Sequence, residues 1–151
     1  MALARMSDPR GLDQDLGDGA KSVLSAMTSK PRLTSGPGRL TSWLMEMSSG
    51  ELVVKGGSEG GQAAVSQRLG LAAIVKIDDG GHRAAEAAFV DLLRKAEFIT
   101  ASQHDEIVTK YPRELYTYSK KKVTGKISTY PEHSTPLRAS RCAACLSKNN
   151  Q

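Results

Sequence analysis

The stretch Gly50–Gly80, GELVVKGGSEGGQAAVSQRLGLAAIVKIDDG, decides how this chain is read. Val53 and Val54 favour a strand over Glu51–Lys55, because β-branched side chains fit a pleated surface. Four glycines among residues 56–61 then give a tight turn where backbone can come close to another segment or to a ligand. Gln62–Ser66 reads as a second strand. Leu71–Ile77, LAAIVKI, reads as a third, apolar enough to be buried on both faces, and Asp78-Asp79-Gly80-Gly81 closes it with a turn. Lys55 stands at the end of the first apolar run, directly before Gly56 and Gly57. A lysine so placed can turn its ammonium into a cleft and hold a carboxylate or developing negative charge. An exposed lysine before a turn is the plainer alternative.

Working outward towards the N-terminus, Ser48-Ser49-Gly50 ends a helix expected over residues 39–47, with Leu40, Trp43, Leu44 and Met47 as a core-facing stripe. The run RLTSGPG at 32–38 reads as a loop. Pro31 stops an earlier helix, expected from Gly19 to Ser29 with Asp18 as its N-cap and Val23, Leu24 and Met27 on one face. The acidic LDQDLGDG before it reads as a loop, and MALARM as the end of a helix.

Towards the C-terminus, His82–Phe98 is the strongest helical pattern. Ala84, Ala85, Ala88, Leu92 and Ala96 trace its apolar face, with Phe89 and Leu93 beside it and Asp91 among the surface charges. A short helix to Lys110 follows, capped by Thr100 or Ser102, with Ser102-x-x-Asp105 resembling a capping box. Leu115–Ser119 and Lys122–Ile127 could pair as a hairpin across Lys120-Lys121. Little periodicity remains after Ser128, so 1–127 is expected to be the folded domain and 128–151 a disordered tail.

Bulk properties narrow the function classes. No apolar run reaches the ~18 residues of a membrane span, and MALARMSDPRG has no apolar signal region. Two cysteines give no disulfide framework, so a cytoplasmic setting is expected. Residues 1–109 hold 12 Lys/Arg against 14 Asp/Glu, whereas 110–151 hold 9 against 2. The basic charge is thus concentrated in the C-terminal part, off any recognition helix, so a nucleic-acid partner is not what the sequence leads one to expect.

Other candidate sites are thin. The glycine run lacks the Gly-Lys-Ser/Thr of a phosphate loop and the helix of a dinucleotide fingerprint. Asp78 and Asp79 suit a turn as well as acid–base or metal chemistry. His82 reads as a surface residue, His104 lies in a polar helix and His133 in the tail, without metal-ligand spacing. Cys142-x-x-Cys145 supplies two ligands where structural zinc takes four. Ser119-Lys-Lys-Lys122 matches S-x-x-K by letters but offers its lysine no burial.

Several stretches together resemble the L-asparaginase II family, the rhizobial-type or thermolabile asparaginases: LARMSDP at 3–9, AKSVLSAMTSKPRLTSGPGRLTSWLM at 20–45, GELVVKGGSEGG at 50–61 and GLAAIVKIDDGGHRAAEAAFVDLLRKAEFI at 70–99. Weaker similarity runs through YPRELYTYSKKKVTGKI at 111–127. The resemblance implies a mixed α/β (α+β) fold, an antiparallel sheet flanked by helices as in part of a serine β-lactamase-like fold. It implies hydrolysis of L-asparagine to L-aspartate and ammonia. Lys55 would be catalytic, and Arg39, in Gly36-Pro37-Gly38-Arg39, would bind substrate with Gly57 and Glu59. The family usually reads Lys-x-Gly-Ala-Glu-Gly, so Lys55, Gly57, Glu59 and Gly60 match, Ser58 replaces alanine, and Gly61 stands where a larger apolar residue is common. Only the family's C-terminal third is matched. Its nucleophilic serine with lysine and its cysteine-and-lysine zinc site lie upstream of that part. The chain is therefore expected to be truncated and catalytically incomplete, with no cofactor. As an alternative it is a non-catalytic module pairing with a larger asparaginase-like partner in a homo- or hetero-oligomer.

Overall fold

The computed structural model describes residues 5–6 and 8–129. The tail from residue 130, with His133, Cys142 and Cys145, lies outside these, as does most of MALARM. The elements in order are α1 (Gln14–Ser29), α2 (Pro31–Ser35), α3 (Leu40–Met47), β1 (Leu52–Gly56), β2 (Gly61–Ser66), β3 (Leu71–Lys76), α4 (His82–Lys95), α5 (Ala101–Lys110), β4 (Glu114–Tyr116) and β5 (Val123–Lys126). Strands β1-β2-β3 form an antiparallel sheet in that order, and β4-β5 form a two-stranded one. The expected α/β class with an antiparallel sheet and helices is what the chain adopts. No helix among the described residues is long and apolar enough to cross a membrane.

The chain divides into two compact units. One holds the described residues up to 56 together with 63–74; the other holds 57–62 and 75–129.

In the first unit α1 and α3 both pack on β1. Val53 packs with Leu24 of α1 and Val65 of β2, and Met6, Met27 and Ala72 border that cluster. Leu52 and Val54 project to the opposite face by the two-residue period and are equally buried. The strand buried on both faces is therefore β1, not β3. Ile74 of β3 is 59% exposed and alternates with the buried Ala73, so it lies on the uncovered face of β3.

Helix α1 starts at Gln14 with Asp13 as N-cap, five residues before the expected start at Gly19. The segment LDQDLGDG, expected as a loop, is largely helical. Gly17 is buried on the inner face of the helix, where a Cβ would lie 3.6 Å from the Pro9 Cβ, an ordinary contact distance, so glycine is accommodated there rather than required. The buried stripe is Gly17, Ala20 and Leu24, while Val23, expected on the inner face, is 48% exposed. Pro31 does end α1, and it also opens α2 at the first helical position, where its missing N–H costs nothing. The loop expected at 32–38 is thus confined to Gly36–Gly38. In α3, Leu40 and Leu44 are buried as expected and Met45 joins them, whereas Trp43 and Met47 are half-buried.

In the second unit α4 packs on α5. Helix α4 buries Ala85, Ala87, Phe89, Val90 and Leu93, so its inner face is centred on Phe89 rather than on the Ala84–Ala88–Leu92 line. The capping box of α5 is Thr100 with Gln103: the Gln103 N–H donates to Thr100 Oγ1 at 3.2 Å and the Thr100 N–H to Gln103 Oε1 at 2.9 Å. It supplants Ser102-x-x-Asp105. Thr100→Ala is expected to cost about 1 kcal/mol of stability, measurable by urea denaturation. The expected C-terminal hairpin forms, with Glu114 opposite Lys126, Leu115 opposite Gly125 and Tyr116 opposite Val123.

Candidate functional site

The glycine turn after β1 is built by local backbone bonds. The Gly57 N–H donates to the Gly61 carbonyl at 2.9 Å, and the Gly61 N–H to the Ser58 carbonyl at 3.3 Å. Glu59 and Gly60 take the left-handed conformation, φ 59° and 64°. The turn 78–81 closes on it. The Ile77 N–H donates to the Gly60 carbonyl at 3.2 Å, and Gly60 is so close to Gly80 that a Cβ on it would stand 2.9 Å from the Gly80 carbonyl carbon. Asp79 caps its own turn, Oδ1 accepting the Gly81 N–H at 2.8 Å. This is the structural role that a DDGG run suggests. Glu59 and Gly57 are both exposed on the turn.

Lys55 is the fourth of the five β1 residues, the first exposed position after three buried ones. Its ammonium donates to the Gly56 carbonyl at 3.0 Å, on its own strand. It can swing from that bond towards a bound anion without breaking an ion pair, since none joins it to another described residue. Arg39 is the exposed N-cap residue of α3, where its extended backbone (φ −80°, ψ 144°) lets its carbonyl accept the Trp43 N–H at 3.1 Å. Of the four residues expected at the site, Lys55 and Arg39 belong to the first unit, Gly57 and Glu59 to the second. Sequence continuity alone puts Gly57 two residues from Lys55. No hydrogen bond among the described residues links Arg39 to Lys55.

Near the turn, Gln62 is 5% exposed and its Oε1 has no hydrogen-bond partner among the described residues. Gln62→Leu removes that orphaned acceptor and is expected to be close to neutral in thermal stability. The first unit also has an open cleft of about 440 Å³ whose lining includes Lys21, Leu24, Thr28 and Gln67; none of the four expected site residues lines it.

Sequence reasoning missed the principal charged centre of the second unit. Asp91, expected among the surface charges of α4, is 19% exposed and receives four hydrogen bonds. Arg113 makes a two-point contact, Nη2 to Oδ1 at 2.5 Å and Nη1 to Oδ2 at 2.9 Å. His104 Nε2 lies 3.0 Å from Oδ1, and the Thr129 hydroxyl donates to Oδ2. Burial pushes the Asp91 carboxyl up, but the bonds from Arg113, Thr129 and His104, with the Arg113 charge, outweigh it and hold the group at about 2. No local pattern could reveal this, because the partners lie 13, 22 and 38 residues away. Their effect is to tie α4, α5 and both ends of the β4–β5 segment together. Among the described residues no group of three or more His, Cys, Asp or Glu could hold a metal ion. Ser119 and Lys122 are both exposed, so the S-x-x-K letters there carry no buried lysine.

The class is thus a mixed α/β chain whose antiparallel sheet ends a buried strand in a lysine and a clasped glycine turn. The L-asparaginase II family model matches residues 1–129 of 151, and the chain belongs to that family. No curated protein matches it.

Proposed function

We propose that this chain carries one side of an L-asparagine amidohydrolase site, in a serine β-lactamase-like fold and in the cytoplasm, and is catalytically incomplete by itself. In the first unit Lys55 holds developing negative charge and Arg39 holds the substrate carboxylate; in the second, Gly57 and Glu59 belong to the clasped glycine turn that takes part in substrate binding. The observation that carries this is Lys55, exposed at the end of a buried strand beside the clasped turn of a family member. The serine nucleophile and its lysine come from outside the described residues, where the one S-x-x-K match is exposed. The purified chain is expected to release no ammonia from L-asparagine above a buffer blank. Release that disappears in Lys55→Ala would instead make the chain a self-sufficient enzyme.

A second reading is favoured by the outer strand β3, which exposes Ile74. Here the chain is a non-catalytic module that pairs with a larger asparaginase-like partner along that edge. Co-elution with such a partner, abolished by Ile74→Lys, is the expected result; separate elution at micromolar concentrations would exclude the pairing.

A further inference from the structure

The basic charge assigned from sequence to an unpatterned end is partly carried by an ordered element. Residues 110–126 hold six Lys/Arg against the single Glu114. Arg113 is occupied by Asp91, and Glu114 stands opposite Lys126 across the ribbon. That leaves Lys120, Lys121 and Lys122 side by side beyond the turn, all exposed, with no ion pair to any described residue. The backbone there is fixed: the Thr117 N–H donates to the Lys122 carbonyl and the Lys120 N–H to the Thr117 carbonyl, both at 2.8 Å.

Aromatic surface lies within the same element. Tyr116 is 50% exposed and Val123, its cross-strand neighbour, 49%; Tyr118, in the turn, is fully exposed. Rings standing free beside a row of unbalanced lysines offer stacking faces next to phosphate-binding charge, the combination that holds single-stranded nucleic acid with little sequence preference. Lysine-rich edges disfavour strand addition, which argues against a protein strand as occupant. The ribbon's apolar surface is too small and broken to lie in a lipid interface, where an extended amphipathic face is needed.

We propose that the β4–β5 hairpin binds single-stranded nucleic acid, with Tyr116 and Tyr118 stacking on bases and Lys120, Lys121 and Lys122 contacting phosphates. The proposal is independent of the role given to Lys55. Its test is fluorescence anisotropy of the full chain with labelled dT20 and rU20. Binding is expected to weaken between 50 and 200 mM salt with a log–log slope of about −2 for three phosphate contacts. The triple charge reversal K120E/K121E/K122E is expected to lose at least about 20-fold in affinity, and Tyr118→Ala about 5-fold or more. Circular dichroism establishes that these exposed substitutions leave the fold intact. No binding at 50 mM salt overturns the proposal, as does unchanged binding by the triple variant, which would assign the affinity to the tail. Anionic vesicles bound as tightly as dT20, with Tyr118→Ala without effect on the oligonucleotide, would overturn it in favour of a charged membrane surface.

Discussion

Asp91→Ala is expected to destabilise the second unit by about 2 kcal/mol, read as a lower urea midpoint with an unchanged slope. The magnitude follows from what the substitution leaves behind. Arg113 is only 15% exposed, and without Asp91 its guanidinium keeps its charge and loses both acceptors. Burying an uncompensated cation costs more than the pair contributed when intact. Asp91→Asn keeps the shape and one acceptor, so it is expected to cost less. If the alanine variant lost under 1 kcal/mol, Arg113 would have to reach water, and the cluster would be a surface contact. Acid gives the same answer by another route. The folded carboxyl sits at about 2, below its ordinary 3.8, so its stabilisation is complete above about pH 4 and disappears as the pH falls through about 2. In Asp91→Asn that acid-dependent part of the stability is expected to be reduced.

The second large effect is expected at Gly60. A non-glycine residue there carries the left-handed penalty of about 1–2 kcal/mol at φ 64°. It also drives a Cβ to 2.9 Å from the Gly80 carbonyl carbon and 3.1 Å from its oxygen. Backbone cannot yield as a flexible side chain would, so Gly60→Ala is expected to cost about 3 kcal/mol in total or to open the contact with 78–81. Gly38, also left-handed at φ 71° but with open space around it, is the control: Gly38→Ala bears only the conformational penalty. Equal losses at the two positions would mean that the close approach to Gly80 contributes nothing. Because Glu59 and Gly57 belong to the same turn, Gly60→Ala is also expected to displace the residues proposed to meet substrate.

The contrast between these two positions shows what the sequence can disclose. Gly60 and Gly80 announce turns through their own chemistry, and so the three strands of the main sheet, the turn between β1 and β2 and the turn after β3 are legible in the sequence. Helix α3 and the C-terminal hairpin were legible for similar reasons, an i, i+4 pair at Leu40 and Leu44 in one and a lysine-rich turn in the other. Glycine misleads at Gly17, which lies buried inside α1 although glycine disfavours helix interiors. Thr100 and Gln103 have the Thr-x-x-Gln form of a capping box, which the overlapping Ser102-x-x-Asp105 pattern obscures. The exposure of Ile74 depends on which face of β3 the rest of the fold covers, which no window of residues contains. Asp91 was beyond reach altogether, since three distant partners decide that a charged helix residue is buried. Lys55 stands out by its own place before two glycines, whereas Gly57, Glu59 and Arg39 are singled out by resemblance; local geometry gives each a defined position, with the Lys55 ammonium on the Gly56 carbonyl.

The most direct measurement is a titration of the ¹⁵N-labelled chain with L-asparagine and L-aspartate, followed by amide chemical shifts. Saturable shifts confined to residues 55–61 and the neighbourhood of Arg39, lost in Lys55→Ala while the rest of the spectrum is unchanged, are the expected result. No saturable shift with either amino acid, or shifts that persist in Lys55→Ala, would contradict the assignment of Lys55 and its glycine turn to an asparagine site.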